Sequence, residues 1–148
     1  MAAVRPRAPL HLRPRSLLLV FLGGAAGTAV RYLLTLSVLP VAGVPLITFV
    51  INVTGAFVLG WLLHALALRG ADEGGRRDWR LFAGTGILGG YTTYSSLAVD
   101  TDGLIAAHSV GPSVLYALGT VVLGAAASVA GIVVASGIAR RRAGGGRG

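Results

Sequence analysis

Residues 84–97 read Gly84-Thr85-Gly86-Ile87-Leu88-Gly89-Gly90-Tyr91-Thr92-Thr93-Tyr94-Ser95-Ser96-Leu97. Four glycines in seven residues, followed by a run of hydroxyl side chains, favour a helix break over a continuous Gly-rich packing face, because glycine in a helix interior gives up the most backbone freedom. The stretch sits in an apolar run, Leu81 to Val99, that carries no charge. Backbone carbonyls freed at membrane depth are tolerated only where protein buries them or a cation binds them. The break is therefore expected at Gly89 to Thr92. The same stretch contains GTGILG, a match to the dinucleotide pattern GxGxxG, but no strand precedes it and that reading is discarded.

Outward from this run, three more apolar stretches appear. The four spans are about 16–39, 46–68, 81–99 and 109–138, and Arg31 is the one charge within them. At roughly 1.5 Å per residue, each can cross a hydrocarbon core of about 30 Å as a helix. Composition agrees: 54% of the 148 residues are hydrophobic and 12% charged, where a soluble domain carries about a quarter charged residues. A secretory signal in place of the first span is disfavoured, since the apolar run continues past the small residues Ala25 and Ala26. The chain reads as an all-α membrane protein, with a basic leader (1–15), a channel-sized four-helix unit (16–138) and a basic disordered tail (139–148). Residues 39–45, with Pro40 and Pro45, read as a tight uncharged turn.

Every basic residue except Arg31 lies in the leader, the loop from Arg69 to Arg80, or the tail. With four spans these three segments share one side of the membrane. Positive charge is retained on the cytoplasmic side, so both termini are expected to be cytoplasmic. That distribution accounts for the net charge of +8 without nucleic acid as a partner. An enzyme is equally disfavoured: no span pairs a nucleophile with a His or carboxylate at helical spacing, His64 and His108 lie near span ends, and His11 lies in the leader. With no cysteine there is no disulfide or thiolate chemistry.

Polar groups inside the spans mark function because the bilayer makes them costly. Gly23 and Gly27 form a GxxxG pair suited to close helix packing, and Arg31 either snorkels to the interface or faces a polar cavity. Thr48 and Asn52, four apart, share one face of the second span. They serve either as hydrogen-bond glue between helices or, through the two N–H donors of the amide, as ligands for a passing anion. Tyr116, Thr120, Gly124 and Ser128 make a narrow polar stripe on the fourth span.

Together, Gly23-Gly24-Ala-Ala-Gly27-Thr-Ala-Val-Arg31-Tyr32, Thr48-Phe-Val-Ile-Asn52-Val-Thr-Gly55-Ala-Phe-Val-Leu-Gly60 and Gly86-Ile-Leu-Gly89-Gly90-Tyr-Thr92-Thr93-Tyr94-Ser95-Ser96-Leu97 resemble the signatures of the small bacterial fluoride-specific ion channels, once described as camphor-resistance proteins. The resemblance spans roughly residues 16–138. It implies a broken third helix, an antiparallel dimer with two fluoride pores at the interface, and a structural, non-transported sodium ion held by the carbonyls of Gly89 and Thr92. The candidate pore-lining residues are Thr48, Asn52, Tyr94, Ser95, Tyr116 and Thr120. Two phenylalanines of the family are replaced here by Tyr94 and Leu97; the tyrosine keeps a ring edge and the leucine has none.

The expected function is passive efflux of cytoplasmic fluoride. Two rivals stand beside it. One is a non-conducting partner subunit, which Leu97 keeps alive. The other is a small proton-coupled multidrug exporter, which needs a carboxylate within a span, whereas all five acids here lie in loops or at span ends. The one-sided arginines also imply a single fixed orientation, so the resemblance points to an obligate heterodimer with a related chain of opposite bias in the lipid bilayer.

Overall fold

A computed structural model describes residues 13–38 and 44–144. The described residues form helices α1 (Pro14–Ser37), α2 (Leu46–Ala67), α3 (Gly74–Trp79), a π-helical segment Arg80–Leu88, a short α4 (Gly89–Tyr91), α5 (Tyr94–Ala106) and α6 (Val110–Gly144). α1, α2 and α6 are each long and apolar enough to cross a membrane. The protein is an all-α membrane protein. α1 opens on Pro14, whose missing N–H is one the first helical turn cannot pair anyway.

Two helix pairs build the described fold. α1 packs on the π-helical segment and α4, backbone against backbone. A Cβ added to Gly86 would stand 2.9 Å from Gly23 Cα, and one on Gly27 would collide with the Ile87 carbonyl. α2 runs parallel to α6. A Cβ on Gly131 would meet Trp61 N at 2.7 Å, one on Gly60 would meet Ser128 Oγ at 2.9 Å, and His64 Nε2 lies 2.8 Å from Ser136 Oγ. The GxxxG pair thus does what close packing in lipid requires of small residues. Leu97, Leu104 and Tyr116 bury together, with Val44 and Phe49 against them. Many other large apolar side chains stay exposed, among them Phe21, Leu115 and Tyr94, as expected of surfaces that face lipid or another subunit.

At one end, Asp78 pairs with Arg15, and Asp72 receives Arg80 through Nε (3.0 Å) and Nη2 (2.8 Å). The Arg80 hydrogen bond holds the Asp72 carboxyl below the usual carboxylate range.

Two expectations need correcting. The region 81–99, expected as a span broken within it, is several segments, starting from a π-helical turn pattern of the kind found where helices are locally distorted. Helical geometry runs through Gly89 and Gly90 to Tyr91; it is lost at Thr92 (φ −76°, ψ 156°) and Thr93 (φ −149°, ψ 120°) rather than from Gly89 onward. Gly86 and Gly90 pack closely on α1, whereas a Cβ on Gly89 would meet nothing within 4 Å. The tail is helical as far as Gly144, because α6 simply continues and its terminal arginines complement the negative end of the helix dipole. The expected leader, tight turn and disordered tail otherwise fall on residues 1–12, 39–43 and 145–148, outside the described residues.

Candidate functional site

Thr92 and Thr93 interrupt the hydrogen-bond ladder, and side chains from two other helices take over its groups. Thr93 N–H, which a continuous helix would send to Gly89 O, instead reaches Asn52 Oδ1 at 2.8 Å. Asn52 Nδ2 returns a bond to Thr93 O at 2.9 Å, so the carboxamide of α2 pairs with the extended residue as a neighbouring strand would. Arg31 of α1 donates from Nε to Gly90 O at 3.1 Å. Its guanidinium is half-buried and ties α1 to the segment that precedes the interruption.

α5 restarts with a side-chain cap. Thr93 Oγ1 accepts Ser96 N–H at 3.1 Å and also contacts Ser96 Oγ and Ser95 Oγ. Ser96 N–H is the donor that a continuous helix would aim at Thr92 O. On the other side, Thr92 turns its hydroxyl back to Leu88 O at 2.9 Å. Gly89 O and Thr92 O, the two carbonyls expected to hold sodium, are among those whose helical donors the interruption diverts; Gly90 O is another, and Arg31 takes it. Neutral carbonyl oxygens are hard donors of the kind a small cation takes, so the residues fit such an ion in chemistry.

Two cavities meet at this point. One, of about 340 Å³, is lined by Asn52, Thr92, Thr93, Tyr94, Leu97 and Thr120 among others. The second, of about 270 Å³, is lined by Arg31, Thr48, Ile51, Thr93, Ser96 and Asp100 among others. Thr93 lines both.

The expected pore residues are divided by this geometry. Asn52, Tyr94 and Thr120 share the first cavity; Thr48 lies in the second. Tyr116 points its hydroxyl to Asp100 Oδ2 (3.0 Å) and Pro45 O (3.2 Å). Thr120 spends its hydroxyl proton on Tyr116 O at 2.7 Å, the usual habit of a helical threonine. Ser95 is exposed and touches Thr93 Oγ1. Tyr94 is 81% exposed while Leu97 is 7% exposed, so the two replacements of the family phenylalanines have opposite fates. Asn52 has one bond to each end of its amide, which leaves one N–H of Nδ2 for the cavity it lines.

Sequence reasoning passed over Thr93 and Asp100. Thr93 itself offered the only signal for the first, since Thr is a favoured N-cap; Ser96 stands where a capping box would have Glu or Gln, so the signal is weak. No local pattern marks Asp100, whose partner lies 16 residues away.

The family described as CrcB-like protein, Camphor Resistance (CrcB), matches residues 18–132. A protein of Leifsonia xyli subsp. xyli named Fluoride-specific ion channel FluC 2 is 63% identical over 138 residues, covering 93% of this chain and 95% of its own. Another of that name in Nitrobacter hamburgensis is 41% identical over 119 residues, covering 79% and 94%. A Fluoride-specific ion channel FluC of Phenylobacterium zucineum is 42% identical over 123 residues, covering 82% and 95%. With the family match running from α1 well into α6, this chain belongs to the CrcB-like family.

Proposed function

We propose that this chain forms a pathway for passive efflux of fluoride from the cytoplasm. The observation that carries the reading is its 63% identity, over nearly its whole length, to a protein named as a fluoride-specific ion channel. The site is chemically suited to the task. Taking a small anion out of water costs several kcal/mol or more even after relaxation, so a pore needs neutral donors that replace water without trapping the ion. The spare N–H of Asn52, the first-turn N–H groups of α5 and the ring edge of Tyr94 supply such donors.

In this reading the membrane is the bacterial inner membrane, the arginine-bearing end is cytoplasmic, and the interrupted segment completes a fourth crossing. The carbonyls of Gly89 and Thr92 would hold a structural sodium ion, which would neutralise their partial negative charge and stiffen the interruption. Two carbonyls are too few for one ion. An antiparallel partner would bring its own, and the one-sided arginines favour a related chain of opposite orientation over a second copy. Asn52 orients the extended residues; Arg31 holds Gly90 O away from the anion path.

Fluoride release from proteoliposomes, followed with a fluoride electrode, tests this. Release by this chain alone supports conduction by its own residues. Release only after co-reconstitution with a related chain of opposite bias supports the heteromeric form, with buried Leu97 marking a subunit that serves as scaffold. Absence of release in both would refute the channel reading.

A further inference from the structure

A third cavity, of about 290 Å³, opens between the C-terminal ends of α2 and α6. Trp61, Leu68, Ala135 and Ile138 form its apolar part, and Arg69 and Arg142 stand at its rim. At about 100° per residue, Trp61, Ala65 and Leu68 lie on the side of α2 opposite Asn52, Ala56 and Leu59, so this cavity faces away from the helix interruption. The two guanidiniums differ from those of Arg15, Arg77 and Arg80, which are paired with Asp78 or Asp72. Among the described residues, Arg69 and Arg142 have neither an acidic partner nor a side-chain hydrogen bond.

We infer that this cavity is a binding site for one anionic phospholipid. The wall is graded as such a lipid is: two cations at the rim for the phosphate, then Leu68 and Ile138, and about 12 Å below the rim along α2 the indole of Trp61 beside Ala135, an apolar wall for the upper acyl chain. Each arginine near an anionic surface contributes attraction that falls off within a Debye length, so two converging on one cavity select an acidic headgroup over a zwitterionic one.

The chain has two tryptophans, Trp61 and Trp79. The full chain carrying Trp79→Phe therefore reports from this cavity alone. It is reconstituted in phosphatidylcholine vesicles containing increasing fractions of brominated phosphatidylglycerol or brominated phosphatidylcholine, and Trp61 quenching is followed. Brominated phosphatidylglycerol should quench at a mole fraction roughly tenfold lower. Adding Arg69→Gln and Arg142→Gln together should abolish that preference. Adding Arg140→Gln and Arg141→Gln, the same loss of charge beside the cavity, should preserve it. Equal quenching by the two lipids overturns the inference, as does equal loss of preference in both double variants. Failure of either lipid to quench would mean that protein covers the cavity, which also overturns it.

Discussion

Replacing Asn52 with alanine removes both bonds to Thr93 at once. The lost contacts are the 2.8 Å acceptor for Thr93 N–H and the 2.9 Å donor to Thr93 O, and both main-chain groups are left without their partner. Both bonds are part-buried and Thr93 lines two cavities, so each contributes about 0.5–1.5 kcal/mol and the pair roughly 1–3 kcal/mol. Against a typical total of about 5–15 kcal/mol, that is a measurable share of the folding free energy. Asn52→Asp separates the two bonds. An ionised carboxylate keeps the acceptor for Thr93 N–H but repels Thr93 O, so about half the loss is expected at neutral pH. At acid pH the introduced carboxyl becomes neutral, its O–H can donate to Thr93 O, and the variant regains stability. Thermal unfolding in detergent, followed by far-UV circular dichroism at neutral and acid pH, should order the proteins wild type, Asn52→Asp, Asn52→Ala. Fluoride release should fall in both variants, because both lose the N–H that faces the cavity. An Asn52→Ala protein that unfolds at the wild-type temperature would refute the argument that this side chain holds the interruption.

Other outcomes follow from the same structure. Gly86→Ala forces a Cβ to 2.9 Å from Gly23 Cα and should cost about 1–3 kcal/mol, read as a lowered unfolding midpoint, whereas Gly24→Ala enters open space and should leave the midpoint unchanged. Arg31→Gln should destabilise more than Arg15→Gln, since Arg31 holds a carbonyl inside the protein while Arg15 makes an exposed ion pair. The Asp72 carboxyl is held below its ordinary value in the folded chain, so its contribution is present at neutral pH and lost as pH falls through the folded-state value. The stability gap between wild type and Asp72→Asn should therefore close in acid; a gap independent of pH would count against the pairing with Arg80. Finally, Ala3→Cys and Ser109→Cys should label from opposite sides of the membrane in cells expressing only this chain, and equal labelling from both sides would exclude a fixed orientation.

Three helices were legible because their signal is composition: an uncharged run of the right length is a helix wherever it faces lipid. The packing of Gly23 and Gly27 was legible for a related reason, since only small residues let two backbones meet. The interrupted segment was less so. Its glycines were read as the weak point, but Gly86 and Gly90 are needed for close approach to α1, and the extended residues are Thr92 and Thr93. A helix breaks where something else takes over its hydrogen bonds, and here the acceptor is Asn52, 41 residues earlier in the chain. Such long-range partners have no local pattern. For the same reason Tyr116 and Thr120 read as one polar stripe, although one hydroxyl goes to Asp100 and the other to its own helix.

Both props of the interruption, Arg31 and Asn52, precede it in the chain. A membrane protein is threaded into the bilayer from its N-terminus as it is synthesised, so α1 and α2 are already in place when residues 80–106 arrive. The newcomer meets a waiting guanidinium and a waiting carboxamide, and it can bend at once instead of first entering lipid as a straight rod. Order of synthesis thus becomes part of the fold's chemistry. A circular permutant beginning at the loop of residues 69–75 would carry every contact of the parent yet deliver the bend before its supports, and its yield of folded protein should fall even though its final stability need not.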